Sequence, residues 1–204
     1  MKFNVGKTKL RINISFAAVI TLMLILDSSG MCAVALLCSL VHEAGHIVCL
    51  RFFGETPISV ELSFYGIRLE RQKLSGLTRL KELVVYASGP GMSFVFAFFL
   101  FCVGIFVPAI KTASVISLCI GAFNLIPCYP LDGGNILFYV LGFVTDEETA
   151  EKICFFASCS VLVPMVSAGT VLLLKNGNIT LISVSVYLAA VCFFDKKQKD
   201  NIKI

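Results

Sequence analysis

Apolar residues in this chain run in long blocks separated by short polar intervals, rather than in narrow helical stripes. A block of about 20 mostly apolar residues is long enough to cross a bilayer as a helix. Six blocks reach or approach that length, at residues 12–27, 31–52, 84–107, 112–128, 153–174 and 179–194. The longest polar interval, 54–82, has a different rhythm. Ile58, Val60, Leu62 and Phe64 alternate with their neighbours, the chain turns near Tyr65-Gly66, and alternation resumes at Ile67 and Leu69. A period of two on either side of a turn predicts a hairpin over 58–71, lying at the membrane interface. Residues 74–86 read as an amphipathic lead into the third span. The pattern predicts an all-α polytopic membrane protein with about six transmembrane helices and a small interfacial β-hairpin. Its parts are a basic tail at 1–11, a six-span core at 12–194 and a second tail at 195–204.

Composition excludes a soluble domain. Hydrophobic residues make up 57% of the 204 and charged residues only 15%, with a mean hydropathy of +0.90. A soluble fold could not bury so much apolar surface and keep a polar exterior. The N-terminus does not read as a removable signal peptide, because no small-x-small site follows its first apolar stretch and a second span comes at once. Charge placement tests the span count. With six spans and a cytosolic N-terminus, fifteen of the seventeen Lys and Arg residues fall on the cytosolic side, leaving Lys111 and Lys175 opposite. Such a bias fits an even number of spans with both termini cytosolic, in a multi-pass protein of the cell membrane. The net charge of +4 therefore reads as orientation and contact with anionic lipid. No nucleic-acid motif is present, and no nucleic-acid partner is expected. Eight of the nine cysteines lie in apolar runs, where they act as small hydrophobes. No CxxC occurs, which argues against a zinc ribbon. Cys128 alone sits in an irregular stretch.

Both histidines of the chain lie in the second span, in "CSLVHEAGHIVCL" (38–50). Residues four apart share a helix face, so His42 and His46 can offer two imidazoles to one metal ion, with Glu43 beside it to take a proton from water. Zinc suits imidazole and lowers the pKa of bound water to about 7. At about 1.5 Å per residue, His42 is roughly 16 Å from the outer end of the span and 14 Å from the cytosolic end. Ionisable groups at that depth are costly, and a functional role is their default reading. The bland alternative is a polar packing network between helices. Elsewhere at plausible depth, Asp132 stands out in "FNLIPCYPLDGG" (123–134). Pro127 and Pro130 break the fourth helix there, and Gly133-Gly134 permits a tight turn. The break frees carbonyls and exposes Asn124 for an extended peptide; an ordinary helix end at the headgroups would look the same.

His42-Glu43-Ala44-Gly45-His46, Asn124-Leu125-Ile126-Pro127 and Pro130-Leu131-Asp132-Gly133-Gly134 together resemble the site-2 protease family of intramembrane zinc metalloproteases. Within it the pattern is closest to the bacterial sporulation branch that processes a pro-sigma factor. The resemblance covers roughly residues 12–194. It implies one zinc ion per chain held by His42, His46 and Asp132, Glu43 as catalytic acid/base, and substrate contacts at Asn124 and Pro127. It further implies a membrane-associated protein substrate cut within or near its transmembrane segment on the cytosolic side, with room for a regulatory membrane partner. Two departures stand out. The family's third-span motif Ala-Gly-Pro-x-x-Asn is here Ser88-Gly89-Pro90-Gly91-Met92-Ser93, with serine in place of asparagine. After the sixth span there is no room for the CBS or PDZ domain of many relatives, so regulation by those domains is not expected.

Other readings of the residues are a membrane metal transporter, an inactive membrane scaffold, or a metalloprotease with a downstream glutamate ligand from Glu147, Glu148 or Glu151. A transporter would be expected to carry ligands on several spans, and this chain has no third histidine. A scaffold would be expected to have lost part of the ligand set. The three glutamates read as a solvated helix N-terminus.

Overall fold

A computed structural model of the chain describes residues 2–5, 8–12, 21–25, 27–55, 59–63, 66–70, 78–177 and 179–202, with side chains at 21–25, 27–55, 78–177 and 179–193. Two compact units make up the chain, Met1–Ala122 and Phe123–Ile204.

In the first unit, strands β1 (Lys2–Val5), β2 (Thr8–Ile12), β3 (Ser59–Ser63) and β4 (Gly66–Glu70) form one sheet in the order β1-β2-β3-β4. β3 and β4 pair antiparallel, Ser59 opposite Glu70 and Ser63 opposite Gly66, in the interval whose alternation predicts a hairpin. β2 joins β3 in parallel, Lys9 opposite Ser59. The stretch expected to be a basic tail thus contributes two strands to this sheet. Of the first expected span, 12–27, residues 13–20 and 26 lie outside the described residues, and 21–25 are helical.

Helix α1 (Met31–Phe52) matches the second expected span end for end, and α2 (Arg79–Gly104) begins five residues before the third. A 3-10 turn (Pro108–Ile110) leads into α3 (Lys111–Asn124). α1 and α2 pack closely because glycines line the seam. A Cβ on Gly45 would come within 2.6 Å of the Ser88 carbonyl. The Ser88 hydroxyl donates back to the Gly45 carbonyl at 3.1 Å. In an apolar medium such small-residue contacts and backbone hydrogen bonds hold helices together, since lipid supplies no hydrophobic drive between them. α3 is tied to α2 in the same way: Ser114 donates to the Ala97 carbonyl at 2.8 Å and Ser117 to that of Ser93 at 2.9 Å.

The second unit begins with the end of α3. The chain leaves the helix after Asn124, runs irregularly through a cis Tyr129-Pro130 bond, and re-enters helix as α4 (Asp132–Leu141). Then come α5 (Glu147–Asn176) and α6 (Thr180–Ile202). Asp146 caps α5, accepting from the Thr149 N–H at 3.0 Å and the Thr149 hydroxyl at 2.8 Å. Cys128, Leu162, Leu188 and Cys192 form the buried core of this unit. Ser158 accepts the Tyr129 N–H at 3.0 Å and donates to the Cys154 carbonyl at 2.8 Å, which fastens the irregular stretch onto α5.

α1, α2 and α5 are long and apolar enough to cross a membrane, and Pro108–Asn124 and Thr180–Phe193 are shorter apolar helices. Exposed Phe98, Phe99, Phe101 and Phe156 would face water in a soluble protein and suit contact with acyl chains here.

Candidate metal centre

His42 and His46 sit one turn apart on α1, 3% and 6% exposed, with ring centroids 5.1 Å apart. Uncharged, hydrogen-bonded imidazoles can be buried this deeply at modest cost. His46 Nδ1 lies 2.8 Å from the Val85 carbonyl. A carbonyl can only accept, so Nδ1 carries the proton and Nε2 keeps its lone pair. His42 Nδ1 lies 2.9 Å from Ser93 Oγ, so both δ-nitrogens are engaged by α2.

Gly89 shows where the ε-nitrogens point. A Cβ built there would lie 2.9 Å from His42 Nε2 and would overlap His46 Nε2. Glycine at this position therefore leaves room for the tips of both imidazoles. Sequence reasoning gave Gly89 no role, because a helical glycine in an apolar span looks the same whether it faces lipid or an imidazole. Ser88 and Ser93 both make helix-to-helix hydrogen bonds. Glu43, half-buried, follows His42 on α1.

In the second unit Asp132 is the first residue of α4 and half-buried. The two glycines that follow serve a different end from the tight turn expected of them. Both are helical rather than left-handed. A Cβ on Gly133 would overlap the Leu125 carbonyl, and one on Gly134 would come within 2.7 Å of Tyr129 N. They let the irregular stretch lie directly against the first turn of α4, fixing Asp132 relative to Leu125–Tyr129. Asn124 ends α3 half-buried, and Pro127 is exposed. Cys128 is fully buried in the core cluster and is a packing residue. Glu147, Glu148 and Glu151 lie in the first turns of α5, where Glu148 pairs with Lys152 at 2.7 Å.

Residues 106–165 match the model of peptidase family M50. The solved site-2 protease from Methanocaldococcus jannaschii superposes with a TM-score of 0.70 at 25% identity, over 94% of this chain and 93% of that one. In sequence and in fold the chain is thus similar to site-2 proteases. A zinc metalloprotease of M. jannaschii is 29% identical over 173 residues, 79% of this chain and 47% of that protein. A Synechocystis protein is 32% identical over 114 residues, 52% of this chain and 30% of the other. The chain thus spans about half or less of the curated relatives it matches. Imidazole and carboxylate, the groups that His42, His46 and Asp132 offer, are ligand types that zinc takes at catalytic sites.

Proposed function

We propose that this chain is a zinc-dependent intramembrane endopeptidase that cleaves a membrane-associated protein within or near its transmembrane segment, on the cytosolic side. One observation carries the reading. His42 and His46 stand buried one turn apart on α1 with Glu43 beside them, and the motif resemblance assigns Asp132, at the start of α4, as the third ligand. Three protein ligands are the usual number at a catalytic zinc, which keeps a fourth position for water or substrate. The M. jannaschii zinc metalloprotease among the relatives supports zinc as the ion.

A bound zinc ion would supply Lewis acidity, polarising the scissile carbonyl and bringing the pKa of water to about 7. The remaining chemistry belongs to the chain. Glu43 takes a proton from the attacking water onto a carboxylate oxygen as the new C–O bond forms. It returns that proton to the amide nitrogen as the C–N bond breaks, so the products are a carboxyl terminus and an amine. Val85 and Ser93 hold the two imidazoles in orientation throughout. In this reading the broken stretch after α3, with Asn124 and Pro127, is where an unwound substrate segment would bind. The distribution of lysine and arginine supports cytosolic N- and C-termini. A pro-sigma factor is the substrate favoured by the motif resemblance.

Reconstitution with a membrane-anchored reporter tests the reading. Wild type is expected to cleave it and to lose cleavage on chelation. Glu43→Gln, which keeps shape and ligands, is expected to slow cleavage by about 10²–10⁴ with zinc content unchanged. Full activity in Glu43→Gln would contradict the assignment.

A further inference from the structure

We propose that Ser93 is a positioning residue for His42, fixing its tautomer so that Nε2 is the metal-binding nitrogen. The inference rests on the zinc reading above and deepens it. Ser93 is wholly buried, and its hydroxyl lies 2.9 Å from His42 Nδ1. Among the described residues every buried side-chain nitrogen and oxygen has a hydrogen-bond partner, so this bond is part of a satisfied interior.

The geometry leaves His42 one productive arrangement. Its Nε2 faces the space over Gly89 that His46 Nε2 also faces. A nitrogen that binds a metal must be unprotonated, so the imidazole proton sits on Nδ1 and Ser93 Oγ accepts it. His46 receives the same instruction from the Val85 carbonyl, which has no alternative to accepting. At His42 the Ser93 hydroxyl holds that place, 2.9 Å from Nδ1. The position of Ser93 is itself held from two sides. Ser117 donates to the Ser93 carbonyl at 2.9 Å, and a Cβ on Gly121 would come within 3.0 Å of Ser93 Cβ. Serine thus stands where the family motif has asparagine and supplies an acceptor at the same helix position. Outer partners of ligating histidines typically contribute about 10–100-fold in metal affinity.

The test is zinc affinity of the detergent-purified full chain by chelator competition, alongside the melting temperature of each chelated protein. Ser93→Ala is expected to weaken zinc about 10–100-fold, and Ser93→Thr, which keeps the hydroxyl, to hold wild-type affinity. Ser114→Ala is the packing control, since it removes a similar buried bond to an α2 carbonyl without touching an imidazole. It is expected to lower the melting temperature about as much as Ser93→Ala and to leave affinity alone. Wild-type affinity in Ser93→Ala, or an equal loss in Ser114→Ala, would overturn the role of Ser93. A wild-type chain that binds no zinc would overturn this inference and the zinc reading together, and the two failures are told apart by the wild-type measurement.

Discussion

Gly89 is the residue on which the two histidine ε-nitrogens converge, and it gives the account a sharp test at the residue scale. Alanine favours helix over glycine by about 1 kcal/mol, so Gly89→Ala costs α2 nothing in propensity. Its methyl group would instead occupy the place of the imidazole tips. The expected outcome is helical content unchanged by circular dichroism, with zinc affinity and cleavage both reduced more than tenfold. Retained zinc would mean that the ε-nitrogens turn elsewhere. His42, Glu43 and His46 were legible in the sequence because their spacing on one helix is itself the signal. Gly89 and Ser93 were not. Their partners lie about forty to fifty residues away on another helix, and no periodicity records which face of α2 meets α1.

At the scale of elements, the second, third and fifth expected spans correspond to α1, α2 and α5, since long apolar runs between polar intervals are strong signals. The break in the fourth was legible from Pro127 and Pro130, and α3 ends at Asn124. α4 was not legible: ten residues are too few to span a bilayer, and the Gly133-Gly134 pair argues against helix. The pair is kept because the preceding backbone lies where a Cβ would be. The sheet exceeds the hairpin expected because the pairing of β2 with β3 joins segments some fifty residues apart in sequence. Asp146 supplies an element-scale prediction. Its bonds from the Thr149 N–H and hydroxyl hold its carboxyl below the usual aspartate range. A lowered folded pKa stabilises the start of α5 above about pH 4, the unfolded value. That stabilisation is lost as pH falls through the folded value. Hydrogen exchange of the amides at 147–150 is expected to quicken below pH 4 beyond its intrinsic rate, and Asp146→Asn, still a good cap, to remove this pH dependence. An unchanged profile in the variant would contradict the carboxylate's role.

For the whole molecule, mean hydropathy and block length point to lipid, and three helices among the described residues are long and apolar enough to cross a membrane. The combination of motifs points to the same proteins that the comparisons find similar to this chain. Substrate choice was not legible, because it depends on surfaces that read an unwound segment rather than on residues with a fixed chemical signature. The claim on which everything else stands is that two helical histidines and an aspartate some ninety residues away hold one metal ion. Zinc content of the purified full chain, wild type beside Asp132→Asn, tests it most directly. About one zinc per chain in wild type, lost or sharply weakened in the variant, is the predicted result. Wild-type zinc content and affinity in Asp132→Asn would contradict it.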